Sequence, residues 1–174
     1  MTRFVALLRG VNVGGITVKS AALAEMARGI GLADVRTVLA SGNLLFTAGA
    51  DEQPAALKAR IEAALRENFG YDAWIVLTTV DHLRAVIDAF PFPERDDRQP
   101  YVVFGSDPVV LDEIVGAAGD LDPDDERIAR GDGVVYWDCP KGRTLDTPFA
   151  KLIGKTRHKA TTTNRNLRTL RKLV

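Results

Sequence analysis

The chain has 174 residues, 46% hydrophobic and 26% charged, with Lys+Arg and Asp+Glu balanced at 23 each. These are the proportions of a globular chain, and the zero sum argues against a generally sticky nucleic-acid binder. One cysteine, Cys139, excludes an internal disulfide, and no apolar run approaches the ~18 residues of a membrane span; the expectation is a cytoplasmic protein with no membrane partner.

Arg3 to Leu8 is continuously apolar after its first residue and reads as a buried strand. A glycine-rich turn follows, then a helix from about Ser20 to Ile30, with Leu23, Met26, Ala27 and Ile30 on one face, Ser20 able to cap it and Gly31 stopping it. Val35–Ala40 and Leu44–Thr47 read as a hairpin about Ser41-Gly42-Asn43, where Gly42 and Asn43 tolerate positive φ. Pro54 opens a second helix whose stripe is Leu57, Ile61, Ala64, Leu65 and Phe69, ended by Gly70, and Ala73–Leu77 is a fourth strand. The order β-α-β-β-α-β is ferredoxin-like.

The second half repeats the order in part. A linking helix starts near Val80, Tyr101–Phe104 is a strand, and Asp107-Pro108 caps and opens a helix carrying Leu111, Ile114, Val115 and Ala118. Arg127–Ala129 and Val134–Trp137 bracket a Gly131-Asp132-Gly133 turn. Thr147-Pro148 starts a short helix, and Asn164 is read as the cap of a last one with Leu167, Leu170 and Leu173. The fold class expected is α+β: two ferredoxin-like halves, residues 1–80 and 81–174, with a basic, helical C-terminal tail.

Several activities can be set aside. From Gly10 the sequence G-V-N-V-G-G-I-T fits a phosphate-binding P-loop through Gly15, but Ile16 stands where the lysine must be, so nothing reaches the outer phosphates. What survives is a loop whose backbone N–H groups could face an anion, aided by Arg9 and by a helix N-terminus beyond it. Cys139 lacks spaced partners, no His/Cys/Asp/Glu cluster has metal-ligand spacing, and no cofactor is named by these motifs. RNA recognition by a sheet face needs exposed aromatics; the first three strands carry only Phe4 and Phe46.

Charge is segregated along the chain. Seven acidic residues and no basic one lie between Asp112 and Glu126, and the run Asp120 to Glu126, without EF-hand spacing, reads as a solvated loop. Eight Lys or Arg and no acid lie between Thr147 and Val174. Within that basic end, residues 155–166 combine cations, hydroxyls and amides, a composition suited to phosphate or carboxylate. The hairpin tip, Ser41 to Asn43, is polar, and the ferredoxin-like order predicts it at the opposite end of the sheet from the glycine turn.

L-L-R-G-V-N-V-G-G (7–15), R-T-V-L-A-S-G-N-L-L-F (36–46), P-F-P (91–93) and T-N-R-N-L-R-T-L-R-K-L (163–173), in this order, resemble the bacterial family known as domain of unknown function 1697. The resemblance spans nearly the whole chain and implies two ferredoxin-like halves, with no particular activity. It carries over Arg9, Gly10, Asn12, Gly14, Gly15, Ser41, Gly42, Asn43, Arg165, Asn166 and Thr169. Where relatives usually have an aromatic after the terminal R-N, this chain has Leu167.

The leading expectation is binding of an anionic small molecule, phosphate-bearing or nucleotide-like, through Arg9, Gly10, Asn12, Gly14, Gly15, Ser41, Asn43, Thr163, Arg165 and Asn166. The competing expectations are a structural or interaction module without ligand, and, less favoured, nucleic-acid binding through the basic end.

Overall fold

The structure, a computed structural model, describes residues 1–10, 15–40 and 42–174; residues 11–14 and Ser41 lie outside the description that follows. The chain divides into two compact units, Met1–Leu83 with Lys172–Val174, and Arg84–Arg171. Each contains a four-stranded antiparallel sheet flanked by helices, the expected α+β architecture. Among the described residues, no helix is long and apolar enough to cross a membrane.

In the first unit the elements are β1 (Thr2–Leu8), α1 (Ser20–Gly29), β2 (Ala33–Thr37), β3 (Asn43–Ala48), α2 (Pro54–Phe69) and β4 (Ile75–Thr79). The sheet order is β2-β3-β1-β4. Strand alternation sends Phe4, Ala6, Leu8, Leu44 and Phe46 to one face, where they pack against Leu23, Met26 and Ala27 of α1 and Leu57, Ile61 and Leu65 of α2. Phe4 and Phe46 are register partners, and their rings stack at 5.8 Å. Each fully buried Leu, Ile or Phe adds roughly 1.5–3 kcal/mol, so this face drives the folding of the unit. Val5, Leu7 and Leu45, on the other face, are buried too, which is why β1 reads as continuously apolar rather than alternating.

Three local expectations change. Lys19, not Ser20, occupies the cap position of α1, and no side chain caps it. Asn43 is the first residue of β3; the positive φ falls on Gly42 (+70°) and Leu39 (+59°). The turn at Gly42 and the end of β1 share one end of the sheet, as described below. The second helix keeps its predicted ends: Pro54 in the first turn and Gly70, in the left-handed conformation, at its C-cap.

The linking helix α3 (Val80–Asp88) spans the division between the units. The second unit then has β5 (Arg98–Gly105), α4 (Pro108–Ala118), β6 (Arg127–Gly131), β7 (Val134–Pro140), α5 (Pro148–Gly154), α6 (Thr156–Lys159), β8 (Thr162–Asn166) and α7 (Leu167–Leu170). Its order, β6-β7-β5-β8, is that of the first unit's sheet. Val103, Val135, Trp137 and Cys139 meet Leu111, Ile114, Phe149 and Leu152 in its core, with Trp137 between Tyr101 (5.2 Å) and Phe149 (5.3 Å).

The basic end keeps short helices, as expected, but also holds a strand that was not expected. Thr162–Asn166 pairs antiparallel with β5, Arg165 opposite Val102 and Thr163 opposite Phe104, and completes the second β-α-β-β-α-β unit. Threonine favours strands, but Asn is depleted in them and T-T-N-R-N has no apolar alternation, which conceals this edge element from a reading by pattern. The cap of α7 is accordingly Asn166, whose side chain accepts from Arg168 N, and not Asn164.

Candidate functional site

The glycine loop starts where β1 ends. Because β1 runs antiparallel to β3 with Leu7 opposite Asn43, the turn before β3 lies beside the end of β1. Leu8 N donates to the Gly42 carbonyl at 2.8 Å, and Arg9 N to the Trp74 carbonyl at 3.2 Å. The end of β1 and the turn at Gly42 thus share one end of the sheet, and the expectation of opposite ends is corrected: β1 and β2 point the same way in this topology, so β1 ends where β2 turns back. Gly10 (φ +78°) and Gly15 (φ +84°) both adopt the left-handed region that only glycine enters cheaply. A Cβ at either would meet open space, so conformation, not crowding, is what requires glycine there. Asn12, Gly14 and Ser41 lie outside the described residues.

Two features weaken the expectation of an anion site at this loop and turn. Helix α1 begins at Ser20, well beyond Gly15, so its N-terminus does not sit on the glycine turn. Asn43 is fully buried; its Nδ2 donates to the Val38 carbonyl at 3.0 Å while Val38 N donates to its own carbonyl at 3.1 Å. That amide helps clamp the hairpin.

In the second unit, Thr163 and Arg165 share the sheet face opposite the helices, on the edge strand β8. Both are buried, at 9% and 8% exposure. Arg165 Nη1 donates to Thr163 Oγ1 (2.7 Å) and to the Asn164 carbonyl (3.0 Å), both neutral oxygens. Burial lowers the Arg165 guanidinium to about 10. The rest of the basic stretch is structural or exposed. His158 is buried, and its carbonyl accepts from Thr162 Oγ1 at 2.7 Å. Arg157 pairs with Glu113 at 2.7 Å, and Arg171 makes a two-point pair with Glu94 at 2.8 and 2.6 Å.

Sequence reasoning missed a buried polar cluster on β6 and β7. Asp138 is 1% exposed and takes Arg98 Nε at 3.0 Å and Arg127 Nη2 at 2.9 Å. Glu126, expected in a solvated acidic loop, is also 1% exposed: its Oε2 accepts the Trp137 indole N–H and its Oε1 the Phe149 N–H, each at 2.8 Å. This joins β7 to the start of α5. The one signal available was Asp138 inside the apolar run V-V-Y-W-D-C, since a carboxylate in a buried strand demands a cation. Cys139, beside it, is fully buried, and burial pushes its thiol up to about 12, as expected of a structural cysteine. Among the described residues, no group of three or more His, Cys, Asp or Glu could hold a metal ion.

A family model described as "Protein of unknown function (DUF1697)" matches residues 1–136. The conserved bacterial protein SP0830 from Streptococcus pneumoniae, a solved structure, is 24% identical, covers 99% of this chain over 96% of its own, and superposes with a TM-score of 0.81. At that identity the likeness speaks for the fold, two sheets included. No curated protein matches the chain. The motifs around Arg9 and Ser41 fall inside the matched span and that around Arg165 outside it, and on the match over most of its length the chain belongs to the DUF1697 family.

Proposed function

We propose that this is a small cytoplasmic protein that binds an anionic ligand, phosphate- or carboxylate-bearing, with Arg165 as its principal cation. The carrying observation is the desolvated guanidinium of Arg165 beside the Thr163 hydroxyl. A charge held out of water is costly, and a bound anion offsets that cost through charge-assisted hydrogen bonds. Asn166 contributes by positioning, as cap of α7. In the first unit, Arg9 and the loop of Gly10, Asn12, Gly14 and Gly15, with Ser41 and Asn43 at the adjacent turn, form a second candidate anion-binding element. Glycines at positive φ support it, because successive backbone N–H groups can then converge on one acceptor. The sole cysteine, buried as a thiol, accords with a reducing cytoplasm. Calorimetric titration with phosphate, citrate and a nucleoside triphosphate tests the reading; no heat from any of them overturns it.

A structural or interaction module is the second reading. It is favoured by Asn43, Thr163 and Asn166, whose side chains all bond inside their own units. Nucleic acid is supported less. Phe4, Phe46, Phe104, Tyr136 and Trp137 on the strands are buried, so they offer bases no surface for stacking.

A further inference from the structure

We propose that the outer edge of β4 is a self-association surface, on which a second copy of this chain pairs its own β4 antiparallel about a twofold axis. That surface lies in the first unit, apart from Arg165 in the second.

An edge strand presents unpaired backbone N–H and C=O groups, and proteins blunt such edges with charge, proline or bulges. The two sheets end on β2, β4, β6 and β8. β2 carries Asp34 and Arg36 and shifts register against β3. β6 carries Arg127 and Arg130, and β8 carries Arg165. β4 differs: it reads Ile-Val-Leu-Thr-Thr, with no charge, no proline and an unbroken register against β1. None of its residues after Ile75 is fully buried. A regular, uncharged edge of β-branched and apolar residues is a template for another strand.

Hydrogen bonding shows where that template is open. Arg9 N donates to the Trp74 carbonyl, so along residues 73–79 the even-numbered positions turn their backbone groups to β1 and the odd-numbered ones turn theirs outward. The flank of α2 meets the first two outward positions: Arg66 Nη1 donates to the Ala73 carbonyl at 3.3 Å, and Glu62 Oε1 accepts from Ile75 N at 3.0 Å. Leu77 is the next outward position, and among the described residues nothing takes its N–H or C=O in the same way.

The helix above the edge points to a second copy as the occupant. Four residues of helix and two of strand each advance about 6 Å. The series Arg66–Ala73, Glu62–Ile75 therefore brings Lys58 and Ala59 level with Leu77. Lys58 is paired with Glu62, so it brings no unpaired charge there. Ala55, Ala59 and Ala63 follow one another turn by turn on the solvent side of that flank, and all three are exposed. A twofold axis at Leu77 sets Ala59 opposite the partner's Ala59 and Ala55 opposite the partner's Ala63. Small side chains let the two α2 helices approach closely. A foreign extended peptide would use the edge and leave the alanine flank uncovered, whereas a second copy uses both. Such an isologous contact closes on itself and stops at two chains.

Sedimentation equilibrium of the full chain tests this. The wild type should show a mass twice the 18.9 kDa of one chain, with a dissociation constant below about 1 mM. Ala59→Glu and Ala59→Arg place good helix formers at an exposed helix position, so both should fold. Each should weaken association about tenfold or more, because like charges then face each other across the axis. An equimolar mixture of the two variants should recover association, since opposite charges now meet. Hydrogen exchange at the wild-type Leu77 amide gives a readout independent of any variant: it should slow as protein concentration rises, because a second chain takes that N–H. A wild type still monomeric at about 1 mM would leave the edge to another occupant and overturn the proposal. So would undiminished association of both charged variants, a mixture no better than either variant alone, or Leu77 exchange that ignores concentration.

Discussion

Leu8 N donates to the Gly42 carbonyl at 2.8 Å, fastening the end of β1 to the turn that precedes β3. Gly42 reaches that position with φ +70°, and Gly15, in the glycine-rich stretch that follows β1, has φ +84°. Gly42→Ala and Gly15→Val should each cost roughly 1–2 kcal/mol, the penalty of a side chain in the left-handed region. For Gly15 the cost is backbone strain alone, because a Cβ there meets nothing within 4 Å. Urea unfolding of the full chain measures it. Stability equal to wild type in Gly15→Val would mean that the loop relaxes to negative φ.

Asp138 carries two arginines. Replacing it by Ala leaves the Arg98 guanidinium buried without its carboxylate, and Arg98 is itself 7% exposed. Breaking a buried pair from one side costs about 3–5 kcal/mol, far more than the pair contributes when both members are replaced together. Asp138→Ala should therefore unfold well below the wild type in urea. Asp138→Ala combined with Arg98→Met should recover part of the loss, and a double variant no better than the single one would contradict this account.

Cys139 predicts an alkaline slope. Burial raises its thiol from 9.0 to about 12. The folded state thus keeps a proton that the unfolded chain releases. The stability associated with the neutral thiol is fully present below about pH 9 and is lost as pH rises toward 12, by about 1.4 kcal/mol per pH unit over the middle of that window. Melting of wild type and Cys139→Ala between pH 8 and the start of alkaline unfolding should show a shallower decline in the variant. Parallel curves would place the titration elsewhere, for instance on Tyr71, whose buried hydroxyl is also pushed up to about 12.

Legibility follows periodicity. The apolar runs of β1 and β3 and the stripes of α1 and α2 were plain in the sequence because burial imposes a repeat of two or of 3.6. Strand β8 was not: T-T-N-R-N has no apolar alternation, and its pairing with β5 is held by backbone groups, which every residue possesses. The same holds for Glu126, an acid among acids in sequence, whose burial depends on Trp137 and on the start of α5. The nearness of Gly42 to Leu8 was legible in principle. It needs only the strand directions that the β-α-β-β order already implies.

The last prediction separates a ligand site from a structural tie at Arg165. In the ligand reading, the guanidinium bears a desolvation cost that depresses it to about 10, and an anion removes that cost. Arg165→Met, similar in length and uncharged, should then hold or raise the melting temperature without added anion. It should also abolish the rise that phosphate or sulfate produces in wild type, because binding only the native state increases apparent stability. In the structural reading, the bonds from Nη1 to Thr163 Oγ1 and the Asn164 carbonyl are what matter. Their loss would leave the buried Thr163 hydroxyl without that donor and cost roughly 1–3 kcal/mol with or without anion. Arg9→Ala, run alongside, asks the same of the first unit's loop independently. A wild type that fails to respond to anions, together with a destabilised Arg165→Met, would sink the anion-binding reading and leave the structural one standing.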